Sequence, residues 1–238
     1  MALQGLRGLV KDAVAEALGN DSVNFSRERL RLASRETAQF VNQHMANTPA
    51  FPERFALLKH SVQSVDPKLQ GLYCEFGVAT GGTINFIAEQ TPHEVHGFDS
   101  FEGLPDDWVT GRAKGSFAQL GLPKVRDNVR LHKGWFNESL PGWKQKHAGP
   151  IAFMHLDADL YSSTKTVLDL LGDQLVPGTI IQFDEYFNYP GWKEHEYKAF
   201  QEFVEARQVK FEYIGYTTGG IDPCQVAVRI LAVGTPGK

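Results

Sequence analysis

The chain has 238 residues, 42% hydrophobic and 22% charged, with 24 Lys and Arg against 28 Asp and Glu. That is the balance of a globular protein with a full-sized core, and a net charge of −4 argues against nucleic-acid phosphate as the main partner. Every apolar run is too short to span a bilayer, so no membrane partner is expected.

Residues 1–52 read as an N-terminal helical extension. Leu3, Leu6, Val10, Val14 and Leu18 recur at helical spacing, while Arg7, Lys11, Asp12 and Glu16 interrupt the run that a secretory signal would need. Gly19 and Asn20 stop that helix, Asp21 and Ser22 can cap the next, and a more charged helical stretch runs from Phe25 to Met45. Pro49 and Pro52 then break the chain. The extension is a cap on the core, a substrate lid, or the contact between copies in a homo-oligomer.

Residues 53–238 form the main domain. From Gly71 onward, short apolar runs alternate with helical patterns. Strands are predicted at 72–76, 95–98, 129–132, 151–156 and 179–183, and helices at 82–89, 137–146, 163–171 and 194–207. Such alternation requires crossover connections and therefore an α/β fold with a mostly parallel sheet. Two further strands, 211–216 and 225–232, have only the turn Thr217–Pro223 between them, so they pair as an antiparallel terminal hairpin. That makes seven strands. The stretch from Ser100 to Lys124 is long and aperiodic, as functional loops often are. Cys74 and Cys224 lie in apolar runs and read as buried thiols of a reducing, cytoplasmic setting.

Ligands of such a sheet sit at the carboxyl ends of its strands. The first of the five ends in Glu75-Phe76-Gly77-Val78-Ala79-Thr80-Gly81-Gly82 and the second in Asp99-Ser100. Glycines let a ligand approach the backbone, and an acid after the second strand can accept ribose hydroxyls; a plain tight turn and a turn aspartate are the alternatives. The glycine spacing is not that of a dinucleotide site, and Glu75 would repel a pyrophosphate. A cationic adenosine ligand, S-adenosylmethionine, suits it better.

The fourth strand runs into Asp157-Ala158-Asp159 and the fifth into Asp184-Glu185. Asp157, Asp184 and Glu185 converge if these strands are neighbours. Like charges so close need compensation, and carboxylate oxygens select a hard divalent ion such as Mg²⁺. Helix capping, expected of Asp159, and ion pairing with Lys165, Lys193 or His155 are the alternatives. His195 is a candidate general base, or a surface histidine on a helix. Tyr186, Tyr189 and Trp192 either line an acceptor pocket or pack beneath a loop.

Residues Glu75–Gly82, Gly97-Phe98-Asp99-Ser100-Phe101-Glu102-Gly103-Leu104-Pro105, His155–Thr164 and Phe183-Asp184-Glu185-Tyr186 together resemble the macrocin O-methyltransferase family of class I S-adenosylmethionine-dependent methyltransferases. The resemblance covers about 71–216. It implies the Rossmann-like class I fold and Mg²⁺-dependent methylation of a hydroxyl on a sugar or sugar-bearing natural product. It assigns Glu75, Gly77, Gly81, Asp99 and Ser100 to the cofactor, Trp135 or Phe136 to the adenine, and Asp157, Asp184 and Glu185 to the metal. His195, Lys193 or a metal-ligating carboxylate such as Asp157 would take the acceptor proton. A metal-dependent hydroxylase on the same scaffold and a non-catalytic cofactor-binding subunit are the rival readings. A NAD-dependent oxidoreductase would want the dinucleotide spacing that is missing here.

Overall fold

The structure, a computed structural model, describes residues 24–109, 111–218 and 224–234. The expected helix over Leu3–Leu18 and most of the Thr217–Pro223 turn lie outside the described residues.

Helix α1 (Phe25–His44) starts at Asn24, whose side chain accepts the Arg27 N–H at 3.1 Å, as an N-cap should. Next come β1 (Ala50–Phe51) and α2 (Arg54–Gln63). The predicted series then appears as β2 (Leu72–Phe76), α3 (Gly82–Gln90), β3 (Val95–Asp99), β4 (Val129–Lys133), α4 (Phe136–Lys146), β5 (Ile151–Leu156), α5 (Tyr161–Leu171) and β6 (Leu175–Phe187). A 3₁₀ turn at Trp192–Glu194 precedes α6 (Glu196–Ala206), and β7 (Lys210–Thr217) and β8 (Cys224–Ala232) end the fold.

The strands form one sheet in the order β1-β7-β8-β6-β5-β2-β3-β4. Strands β2 to β6 are parallel to one another, and β8 inserts antiparallel between β6 and β7, so the terminal hairpin is present. The sheet has eight strands where seven were expected. The extra one is β1, which pairs parallel with β7 and so places Ala50 and Phe51 in the sheet.

Every residue of the central strand β5 is buried, His155 included, as expected of a strand covered on both faces. On one face Leu140, Trp143, Val167, Leu168, Phe200 and Phe203 of α4 to α6 pack against Phe76, Met154 and Val228. On the other, Leu57, Leu58, Ile84 and Ile87 of α2 and α3 pack against Tyr73, Phe153 and Ala227. Helix α1 buries only Ala33 and Thr37, and its main anchor is Phe40. That ring sits 5.7–6.4 Å from the rings of Tyr186, Phe187, Trp192, Tyr197 and Tyr213. Cys74 and Cys224 are buried, with no disulfide between them. No described helix is long and apolar enough to cross a membrane.

After β2 the chain moves outward to β3 and β4, whereas β5 and β6 build in the opposite direction. The helices that follow β2 and β5 therefore pack on opposite faces of the sheet, and the crevice between those connections is where ligands of such sheets bind. Gly77 sits at that fork with φ +93°, and a Cβ there would lie 1.8 Å from the Asp157 carbonyl oxygen. Only glycine lets the two strand ends approach this closely.

Candidate active site

The crevice opens into a cavity of about 1410 Å³. That exceeds the 300–1,000 Å³ or so typical of one small-molecule site and leaves room for two ligands.

One wall is the turn after β2. Asp99 Oδ2 accepts the N–H groups of Val78 and Ala79, both at 2.8 Å, and its Oδ1 accepts that of Phe101 at 2.6 Å. Asp99 thus holds the glycine turn in place while still lining the cavity. Ser100 accepts the Glu102 N–H at 3.0 Å and lines the cavity, as do Gly77, Trp135 and Phe136. Phe136 stands edge-on to Phe76 at 5.8 Å. Gly82 also lines the cavity, and no atom would meet a Cβ placed on it.

Two residues expected to touch a cofactor do not line the cavity. Glu75 is wholly buried beneath the turn, its Oε1 accepting from His155 Nδ1 at 3.0 Å; it lies on a strand covered by its neighbours on both sides. Gly81 is the left-handed start of α3, φ +82°, and its missing Cβ makes room for Pro123 at 3.0 Å. Its role is in the backbone.

The opposite wall is acidic. β5 and β6 are neighbours, and Asp157, Asp184 and Glu185 all line the cavity. Asp159 joins them: ligand atoms of Asp157, Asp159 and Glu185 lie within 4.8 Å of one another, as do those of His155, Asp157 and Asp184. Asp159 is therefore not the expected helix cap. It has φ +58° and lines the cavity, and the N-cap of α5 is Leu160, with no side-chain cap. Lys165 pairs with Asp169 at 2.7 Å and Lys193 with Glu36 at 3.1 Å, so neither lysine neutralises the cluster. Two other cations do so in part. Arg54 Nη2 lies 3.4 Å from Asp184 Oδ1 and 3.6 Å from Asp157 Oδ2, and it donates to Thr83 Oγ1 at 3.2 Å. His155, wholly buried, lies between Glu75 and Asp184, with Nε2 3.6 Å from Asp184 Oδ1.

This geometry sets the titration. Burial would discharge His155, but the close approach of Asp184, the hydrogen bond to Glu75 and the charges of both outweigh it and push its pKa up to about 10. Asp184 is held below the ordinary range, because His155 and Arg54 outweigh its burial. The remaining acids move up. Burial and the Asp184 charge raise Asp157 and Glu185 and take Asp159 to about 7. Burial also takes Glu196, which is wholly buried, to about 8. Glu185 Oε2 is buried without a hydrogen-bond partner. Surplus carboxylates with an orphaned oxygen are a donor set that fits a hard divalent cation.

His195 lines the same cavity between the 3₁₀ turn and α6. Its Nδ1 is buried and unpartnered, and burial lowers its pKa despite Glu194, so the imidazole is neutral at pH 7. Its ring lies 5.9 Å from Tyr189 and 6.4 Å from Trp108. Tyr189 lines the cavity, whereas Tyr186 and Trp192 pack around Phe40. Ser26, Arg29 and Leu30 bring the first turns of α1 to the rim.

Arg54 and Glu196 escaped the sequence reading, and Asp159 reads there only as a helix cap. Arg54 falls between Pro52 and Gly71, where no element was assigned. Glu196 stands in a titratable run, Lys193 to Glu196, that reads as a solvated helix start.

The sequence model of the macrocin-O-methyltransferase family (TylF) matches residues 10–215. The chain belongs to this family. A Streptomyces olivaceus protein, 8-demethyl-8-(2,3-dimethoxy-alpha-L-rhamnosyl)-tetracenomycin-C 4'-O-methyltransferase, is 29% identical over 170 residues, 60% of this chain and 63% of that one. The demethyldecarbamoylnovobiocin O-methyltransferase of Streptomyces niveus is 30% identical over 122 residues, 42% of this chain and 45% of that one. Both matches span less than two thirds of the curated relative. Among solved structures, the calicheamicin methyltransferase CalS11 aligns with TM-score 0.58 and 22% identity over 82% of this chain and 91% of that one. The O-methyltransferase NovP aligns with TM-score 0.57 and 23% identity over 75% and 79%. These two establish the class I methyltransferase fold.

Proposed function

We propose that this chain is an S-adenosylmethionine-dependent O-methyltransferase acting on a hydroxyl of a sugar or sugar-bearing natural product, with Mg²⁺ at the acid cluster. One observation carries the reading: the glycine–Asp99 turn and the acids of β5 and β6 face each other across a single cavity at the fork of the sheet. Family membership and the names of the two curated relatives support it.

The residues fit both absent groups. Gly77, Gly82, Asp99 and Ser100, with Trp135 and Phe136, would hold the adenosyl ligand, whose bound sulfonium offers a methyl group for in-line displacement. Asp157, Asp184 and Glu185, with Asp159 beside them, would hold the ion, which supplies Lewis acidity that lowers a hydroxyl pKa. The chain itself orients the acceptor against Tyr189 and Trp108, excludes water beneath α1, and takes up the hydroxyl proton at His195. Holding the acceptor oxygen in line with the methyl group supplies much of the remaining rate enhancement.

The test is label transfer from S-adenosylmethionine to a pooled set of sugars, glycosides and phenols, with and without Mg²⁺. Transfer to a sugar-bearing acceptor that chelator abolishes, with cofactor binding retained, is expected, and Asp184→Asn should behave as chelator does. Full activity in excess chelator would remove the metal from the reading. Oxidation of the acceptor without methylation would favour the hydroxylase alternative.

A further inference from the structure

Glu196 is the first residue of α6, wholly buried and adjacent to His195. Its Oε2 accepts the Glu185 N–H at 3.0 Å. Its Oε1 accepts the Ala158 N–H at 3.5 Å and the Thr164 hydroxyl at 3.4 Å. The two backbone donors belong to the two strand ends that carry the acids, and Thr164 lies in α5. Asp157 N–H still bonds to Phe76 O at 2.9 Å, but Ala158 lies past the end of β5. In β6 the register with β8 shifts between Phe183 and Phe187, so Glu185 sits where the ladder is interrupted. Buried backbone N–H groups must find acceptors, and here one carboxylate serves both strand ends.

We infer that Glu196 is a positioning residue: it clamps the ends of β5 and β6 so that Asp157, Asp159 and Glu185 converge, and it fixes the start of α6 so that His195 faces them. It need not touch cofactor or acceptor. The proposed chemistry at this cavity gives the clamp its purpose, so the inference rests on that reading. The clamp is a statement about two backbone amides and can be tested without turnover.

The variants are Glu196→Gln and Glu196→Asp. Gln retains one acceptor but turns an NH₂ toward the other strand end, and Asp keeps the carboxyl group but loses the reach of one methylene. Both are measured by amide hydrogen exchange without ligands, by Mn²⁺ titration, by S-adenosylhomocysteine binding and by turnover. Exchange at 157–160 and 184–187 should rise at least tenfold in both variants while β2 and β3 remain protected. Mn²⁺ affinity and kcat should fall at least tenfold, with S-adenosylhomocysteine affinity within twofold of the parent. Parental exchange and Mn²⁺ affinity in Glu196→Asp would overturn the clamp and leave only a requirement for a carboxyl group. Equal loss of S-adenosylhomocysteine binding, or exchange rising across the whole sheet, would overturn it in favour of a general structural role. If the parent chain neither binds Mn²⁺ nor transfers methyl, the proposed function fails, whereas the exchange pattern still decides whether the clamp exists.

Discussion

Arg54 Nη2 lies 3.4 Å from Asp184 Oδ1, so a guanidinium already meets the carboxylates that would receive a divalent ion. Arg54 is partly exposed on the cavity surface and also faces Asp157. It therefore competes with a metal for the same negative field. Replacing it with Gln should tighten Mn²⁺ binding roughly tenfold by removing a unit charge a few ångströms away. Titration of the two proteins side by side checks this, and weaker Mn²⁺ binding in Arg54→Gln would mean that Arg54 organises the acids instead of opposing the ion.

Asp99 is more than a ribose acceptor, because three backbone N–H groups already converge on its carboxylate. Asp99→Asn turns an NH₂ toward one side of that nest. Its cost should be about 1–3 kcal/mol of folding free energy, together with a clear loss of S-adenosylhomocysteine affinity. Denaturant unfolding and calorimetry measure the two. Unchanged stability with weakened binding would restore a purely ligand-facing role.

The pH dependence of stability has a definite sign. Asp159 and Glu196 are raised to about 7 and about 8, against about 4 for unfolded carboxyls. The folded state thus binds more protons, and stability falls as pH rises through this window. His155, raised to about 10, contributes stability that is fully present below about 6.5 and is lost as pH rises through 10. All three act in one direction. Without divalent ions the melting temperature should decline from pH 6 to pH 9, and Mg²⁺ should offset much of that decline at the alkaline end. A melting temperature that rises over this range would contradict the surplus-acid picture.

His195 should act in its neutral form. Burial lowers its pKa below the ordinary value, so kcat should climb with pH only at acidic pH and be flat from neutrality upward. His195→Gln should lose that acidic limb and about 10²–10⁴ in rate. A wild-type profile in the variant would move the proton to a carboxylate of the cluster.

Phe40 ties α1 to the five rings beneath it. Phe40→Ala should cost about 3 kcal/mol, the lower end for a phenylalanine that is only partly buried. It should raise the acceptor KM by freeing Ser26, Arg29 and Leu30 from the rim, while S-adenosylhomocysteine binding stays near parental. Steady-state kinetics and calorimetry separate the two effects.

The chain's local patterns were enough to place most elements. Short apolar runs alternating with helical patterns located β2 to β8, and the helix-free turn before β8 foretold its antiparallel pairing. The β5–β6 acids were legible because strand ends in such a sheet share one edge. Side-chain destination was not legible. Glu75 and Gly77 are two residues apart, yet one is sealed beneath the turn with His155 and the other lines the cavity; burial depends on what β3 and β5 lay across the strand. Arg54 and Glu196 were invisible for the same reason. Arg54 reaches acids 103 and 130 positions later in the chain, Asp157 and Asp184, and Glu196 reads as a solvated helix residue until the ends of β5 and β6 are packed against it. Local spacing and residue type set the strands, the glycine turn and the acid motifs. Only the folded sheet decided which charges meet, because buried ion pairs and backbone clamps are long-range contacts that no local periodicity encodes.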